Sequence, residues 1–149
     1  MTRTFSRTFL RIVLSTCVLA APAAAQTSAS VTLNFTGSGT GNPNSINASG
    51  MGTLAPFGAG AVTVTSSGAT SQTISASFTF SLASGTLTAS GPATAGPDAL
   101  SGTATVTEGT GEFANASGTF SFDFVVPPGT TAADVQFTLS GSGTIDNVA

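Results

Sequence analysis

Ile74-Ser75-Ala76-Ser77-Phe78-Thr79-Phe80-Ser81-Leu82 sets an apolar residue against a hydroxyl residue at every step. A period of two places the five apolar side chains on one face of an extended strand and Ser75, Ser77, Thr79 and Ser81 on the other. One dry face and one wet face is the pattern of an antiparallel sheet covering a core. The same rhythm returns at Phe120, Phe122, Phe124 and Val126, where Ser121, Asp123 and Val125 take the opposite parity. Val31-Leu33-Phe35, Val62-Val64 and Val135-Phe137-Leu139 repeat it elsewhere, while helical periodicity is hard to find. Thr and Val, which suit a pleated and half-buried surface, are abundant throughout.

Between these runs lie clusters of Gly, Pro, Asn and Ser at 37–44, 56–60, 66–71, 91–98, 108–111 and 127–130. They read as turns and hairpin loops. The spacing predicts about eight strands, over 28–36, 45–54, 60–66, 72–82, 85–90, 99–107, 117–126 and 133–145. The segment Gly37-Ser-Gly-Thr-Gly-Asn-Pro-Asn44 reads as the most linker-like loop of the chain. The expected fold class is all-β, a single antiparallel domain of about eight strands, with a barrel favoured over a β-sandwich or a β-solenoid. The solenoid rests on Ser-Gly pairs beginning at Ser49, Ser67, Ser84, Ser101 and Ser117, spaced 18, 17, 17 and 16 residues apart. Rungs of a solenoid repeat at such a period, and their Thr-rich faces suit an ice-binding or adhesive role. Successive hairpins repeat at the same length, however. The spacing also breaks to 23 before Ser140, and the Phe-rich strands do not keep to it.

The chain opens with Arg3, Arg7 and Arg11, then an apolar run from Ile12 to Ala20, then Ala21-Pro22-Ala23-Ala24-Ala25. A basic start, a short apolar stretch and an A-x-A exit are the three parts of a secretory signal. Ile12–Ala20 is too short for the roughly 20 apolar residues of a membrane-spanning helix. Residues 1–25 are therefore expected to be a cleaved signal peptide, 26–149 a single antiparallel β-barrel domain, and the protein secreted or periplasmic by bacterial export. Leu14-Ser15-Thr16-Cys17 faintly resembles a lipidation signal, but Thr is a poor neighbour for such a cysteine, so Cys17 is expected to leave with the signal.

That removal changes the chemistry. The three arginines and the single cysteine of the chain all lie before Gln26, and the chain has no His and no Lys. The mature domain carries six carboxylates, Asp98, Glu108, Glu112, Asp123, Asp134 and Asp146, for a side-chain charge of −6. Binding nucleic-acid phosphates requires cations, so no nucleic-acid partner is expected. Anionic lipid surfaces repel the domain for the same reason. Without His, Cys or Lys there is no usual base near neutrality, no thiolate and no Schiff base. Zinc or copper sites of the ordinary kind are excluded as well. The carboxylates form no D-x-D-x-D-G calcium loop. No catalytic, cofactor-binding or metal-ligating residue is expected, and no cofactor.

The most distinctive segment is Glu108-Gly109-Thr110-Gly111-Glu112-Phe113-Ala114-Asn115-Ala116-Ser117-Gly118. A strand is expected to end at Thr107, with Gly109 and Gly111 reversing the chain at positive φ. Phe113 then plugs the core, Ala114 and Ala116 allow close packing, and Gly118 restarts a strand. The G-x-G is also phosphate-loop vocabulary, but neither a βαβ unit nor a cation accompanies it. The pattern G-T-G-x-F-x-x-A-x-G resembles the corner of plant dirigent proteins and of allene-oxide-cyclase-like barrels, and still more that of a group of uncharacterised secreted bacterial proteins. The resemblance implies an eight-stranded antiparallel barrel of the calycin-like kind. It carries over no catalytic residue, because those chemistries depend on polar and charged groups that are lacking here.

The expected function is a non-catalytic barrel that binds a small neutral hydrophobic ligand or serves as a structural surface protein. An alternative is a barrel isomerase or cyclase assisted by a carboxylate, which needs one facing the interior. Asp123 has the parity opposite to its Phe neighbours and is expected to face solvent.

Overall fold

The computed structural model describes residues 27–42, 44–70 and 74–149. The expected signal over 1–25, with Cys17, lies outside the described residues. Eight strands succeed one another: β1 (Thr27–Asn42), β2 (Ser45–Ala55), β3 (Gly58–Gly68), β4 (Ile74–Leu82), β5 (Gly85–Ala95), β6 (Ala99–Gly109), β7 (Ser117–Val125) and β8 (Val135–Val148). Each pairs antiparallel with the next, and β8 pairs back with β1 to close a barrel. The sandwich and the solenoid are thereby excluded. The Ser-Gly pairs mark no rung: Ser49 and Ser101 sit within strands, Ser84 in a turn and Ser117 at a strand start. With the solenoid goes the flat Thr ladder of the ice-binding reading. No edge strand is left open, which removes the template that unpaired strands offer for aggregation.

The parity read from the sequence holds around the whole barrel. Inward positions carry Phe, Leu, Val, Ile, Ala and Gly, with Ser66 a buried polar exception; outward positions are mostly Ser, Thr and Asn. In β4 Ile74, Ala76, Phe78 and Phe80 are buried, and in β7 Phe120, Phe122 and Phe124. An eight-stranded barrel is just wide enough for side chains to fill. Here phenylalanine rings fill it in three groups. Phe35, Phe78, Phe80, Phe120 and Phe122 form the middle, with ring centroids 4.6–6.3 Å apart. Phe57 and Phe113 meet edge to face at one end, 5.0 Å apart, and Phe124 stacks on Phe137 at 4.6 Å towards the other. Rings this large fit because several face a glycine across the ladder: Phe35 lies opposite Gly52, Phe120 opposite Gly143, and Phe122 between Gly102 and Gly141.

Two expected loops are strand. Residues 37–42 continue β1, with Gly37 opposite Gly50, Gly39 opposite Ala48 and Gly41 opposite Ile46. Glycine there is the inward residue of an ordinary period-two strand. A Cβ on Gly37 would run into the Ser49 carbonyl oxygen and the Gly50 Cα of β2. A composition typical of linkers thus marks close approach of two strands. Likewise β5 runs on to Ala95. Its ladder to β6 passes from Ser90–Thr105 to Ala93–Gly102 over Pro92, which has no N–H to give.

The G-T-G-x-F corner closes the end at which β1 begins and β8 finishes. β6 carries one extra residue, Thr107, opposite the Thr88–Ala89 step, and a single 3₁₀ turn spans Gly111–Phe113. Gly111 has φ of 61°, as expected, and Gly118 has 131°. Gly109 is not at positive φ. It is needed for space, since a Cβ would strike the Phe113 carbonyl. Thr110 N and Glu112 N donate to Thr86 O (2.9 Å) and Ser84 O (3.0 Å), tying the corner to the β4–β5 hairpin. Phe113 is fully buried and Ala116 packs on the core, whereas Ala114 is exposed and packs on nothing inside.

Candidate functional site

The candidate site lies at the other end of the barrel. The ends of β1, β3, β5 and β7 and the starts of β2, β4, β6 and β8 meet there, as up-and-down topology requires. The strap 126–134, which joins β7 to β8, crosses this mouth. Val125-Val126-Pro127-Pro128 breaks the period of two, and two consecutive prolines cannot extend the ladder. Gly129 has φ of 92° and turns the strap back. It is pinned at two points: Val126 N donates to Asp98 O and Gly41 N to Ala132 O, both at 2.8 Å. Within it Thr130 Oγ1 donates to Pro127 O (3.1 Å) and Asp134 N to Thr131 O (3.0 Å).

Beneath the strap is a partly open depression of about 270 Å³. Its apolar lining includes Ile46, Leu100, Phe124, Val126 and Val135. Pro97, Pro127 and Pro128 add rigid walls, and Asp98 supplies the one carboxylate of the lining. The floor is firm. Phe124 is stacked on Phe137 beneath, and Ile46 N donates to the buried Ser66 Oγ at 2.9 Å. Pockets for small molecules share this make-up, apolar walls with few polar groups, at volumes of roughly 300–1,000 Å³. The mouth, at about 270 Å³, lies just below that range.

None of the six carboxylates is buried. Asp123 points outward from β7, as its parity required. Glu112 is half-buried in the corner, where its backbone carbonyl accepts a bond from Ala149 N (3.0 Å), far along the barrel from the mouth. Asp146 is half-buried and accepts a bond from Ser28 Oγ at 2.5 Å. Among the described residues no three of His, Cys, Asp and Glu gather in one place. The interior carboxylate that an isomerase or cyclase reading needs is therefore not supplied by the folded barrel.

Sequence reasoning assigns no mouth residue to a site. The available signal is Val125-Val126-Pro127-Pro128, an apolar run placed where a turn is expected. Comparison with protein-family models, with curated proteins and with solved structures finds no match.

Proposed function

We propose that the protein is an exported, non-catalytic barrel domain that holds a small, apolar-bodied ligand at its mouth. The observation that carries this reading is the division of apolar surface. The interior is taken up by phenylalanine, while a depression over the buried Ile46, Leu100, Phe124 and Val135, edged by the half-buried Val126, is filled by none of the described residues. The ligand site thus moves from the barrel interior, where the sequence suggested it, to the mouth. The dirigent-like corner supports kinship with barrels of calycin type, from which the mature chain would differ in lacking Lys, Arg and His.

Native mass spectrometry of the protein purified from its host tests the proposal. Retention of a small molecule with an apolar body is expected, and Val135→Phe, which fills the depression from β8, reduces it. Recovery of only anionic or strongly polar molecules contradicts it. A hydrated structural role is the second reading, favoured by outward hydroxyl rows such as Ser38–Ser49–Thr63–Thr79–Thr88; it predicts no retained molecule. That face is the reverse of the apolar band of a lipid-facing barrel. Export is tested by intact mass: processing near Ala25 leaves a chain without Lys or Arg, which trypsin does not cut.

A further inference from the structure

Taking the mouth as the binding site proposed above, we infer that its ligand is an organic cation: a compact apolar body carrying an ammonium group. Three observations converge. First, Asp98 is one of the residues that line the depression, with Leu100, Val126 and Pro127. Its backbone carbonyl is engaged by Val126 N at 2.8 Å, which fixes the residue in place. Its carboxylate takes no hydrogen bond from the described residues.

Second, no described residue neutralises that charge. From Thr27 to Ala149 the chain has no Lys, Arg or His. Asp123 and Asp134 stand on the same half of the barrel; Asp134 accepts a bond from the neutral Gln136 amide (2.8 Å), and Asp123 is exposed on the outer face. The mouth therefore has a negative field with no internal counter-charge. An anionic head is repelled, a neutral head leaves Asp98 to water, and an ammonium gains attraction at a rim close to solvent.

Third, the depression suits the body of such a molecule. Its 270 Å³ holds roughly nine non-hydrogen atoms at the ~30 Å³ of a liquid water. An aryl-ethyl or short branched alkyl amine has that size.

The size of the preference is set by exposure. Because Asp98 is exposed, its pairing with an ammonium is screened, and exposed pairs are worth about 0.2–1 kcal/mol, up to about five-fold in affinity. Titration of the exported protein, followed through methyl resonances of Ile46, Leu100 and Val135, tests this with phenethylamine, phenethyl alcohol and phenylacetate. The amine is expected to bind about two- to five-fold tighter than the alcohol at low salt, and phenylacetate most weakly. Added salt shrinks the amine's advantage, and Asp98→Asn brings the ratio of amine to alcohol affinity to one. Equal affinities in the unaltered protein, or an amine preference that survives Asp98→Asn, overturn the cation and leave the mouth standing. Failure of all three probes to shift the mouth methyls overturns both.

Discussion

At the residue scale, one choice recurs at each step along a strand: hydroxyl outward, apolar or nothing inward. Phe78 shows the inward side. It touches three other rings, Phe80, Phe120 and Phe122, and no solvent. Phe78→Ala is expected to cost about 3–5 kcal/mol, the range for deleting a buried ring. Thr79 beside it faces outward, where its hydroxyl lies 3.5 Å from that of Thr88. Thr79→Ala is expected to change stability by less than about 0.5 kcal/mol. Urea unfolding of the two variants checks the contrast, and equal effects would contradict the assigned faces. Glycine is the other inward choice. Gly111→Ala forces a side chain into the left-handed region, at about 1–2 kcal/mol, and sets its Cβ against Ser84 O. The same unfolding curves read this, and a neutral result would show that the corner tolerates a different backbone.

At the scale of the element, glycine is also where sequence reasoning stops short. The strands rich in Phe, Val and Leu are legible because a large apolar side chain announces its face. Residues 37–42 obey the same alternation, but with hydrogen as the inward side chain, and Ser-Gly-Thr-Gly then resembles a linker. The information that those glycines oppose Gly50, Ala48 and Ile46 is a pairing, and pairings are not local. The two readings differ in hydrogen exchange. Amides of residues 38–42 are expected to be protected to the same order as those of β4, whereas a mobile loop would exchange at unprotected rates. The corner is legible in outline, since Gly111, Phe113 and Gly118 serve as expected. The strap is legible only as a turn. Its bonds to Gly41 and Asp98 come from hairpins 85 and 28 residues upstream of Val126, and no window of sequence displays them.

At the scale of the whole molecule, the distribution of charge sets the response to pH. Acid unfolding usually results from protonating paired carboxylates, from charging buried His and from net positive charge. Residues 27–149 contain no cation to pair with and no His. The side chains of these residues carry no positive charge at any pH, so no positive repulsion builds up in acid. The melting temperature is expected to stay within a few degrees between pH 7 and pH 3, with solubility falling as charge vanishes. A cooperative acid transition above pH 3 would contradict this.

The barrel interior is closed by its own rings, and binding is therefore proposed at the mouth. Methyl-resolved NMR titration with phenethyl alcohol tests it most directly. Shifts are expected at Ile46, Leu100, Val126 and Val135, with Val62, Val64 and Leu87 of the interior unmoved. Saturating shifts at the interior methyls, or none at the mouth, would contradict it.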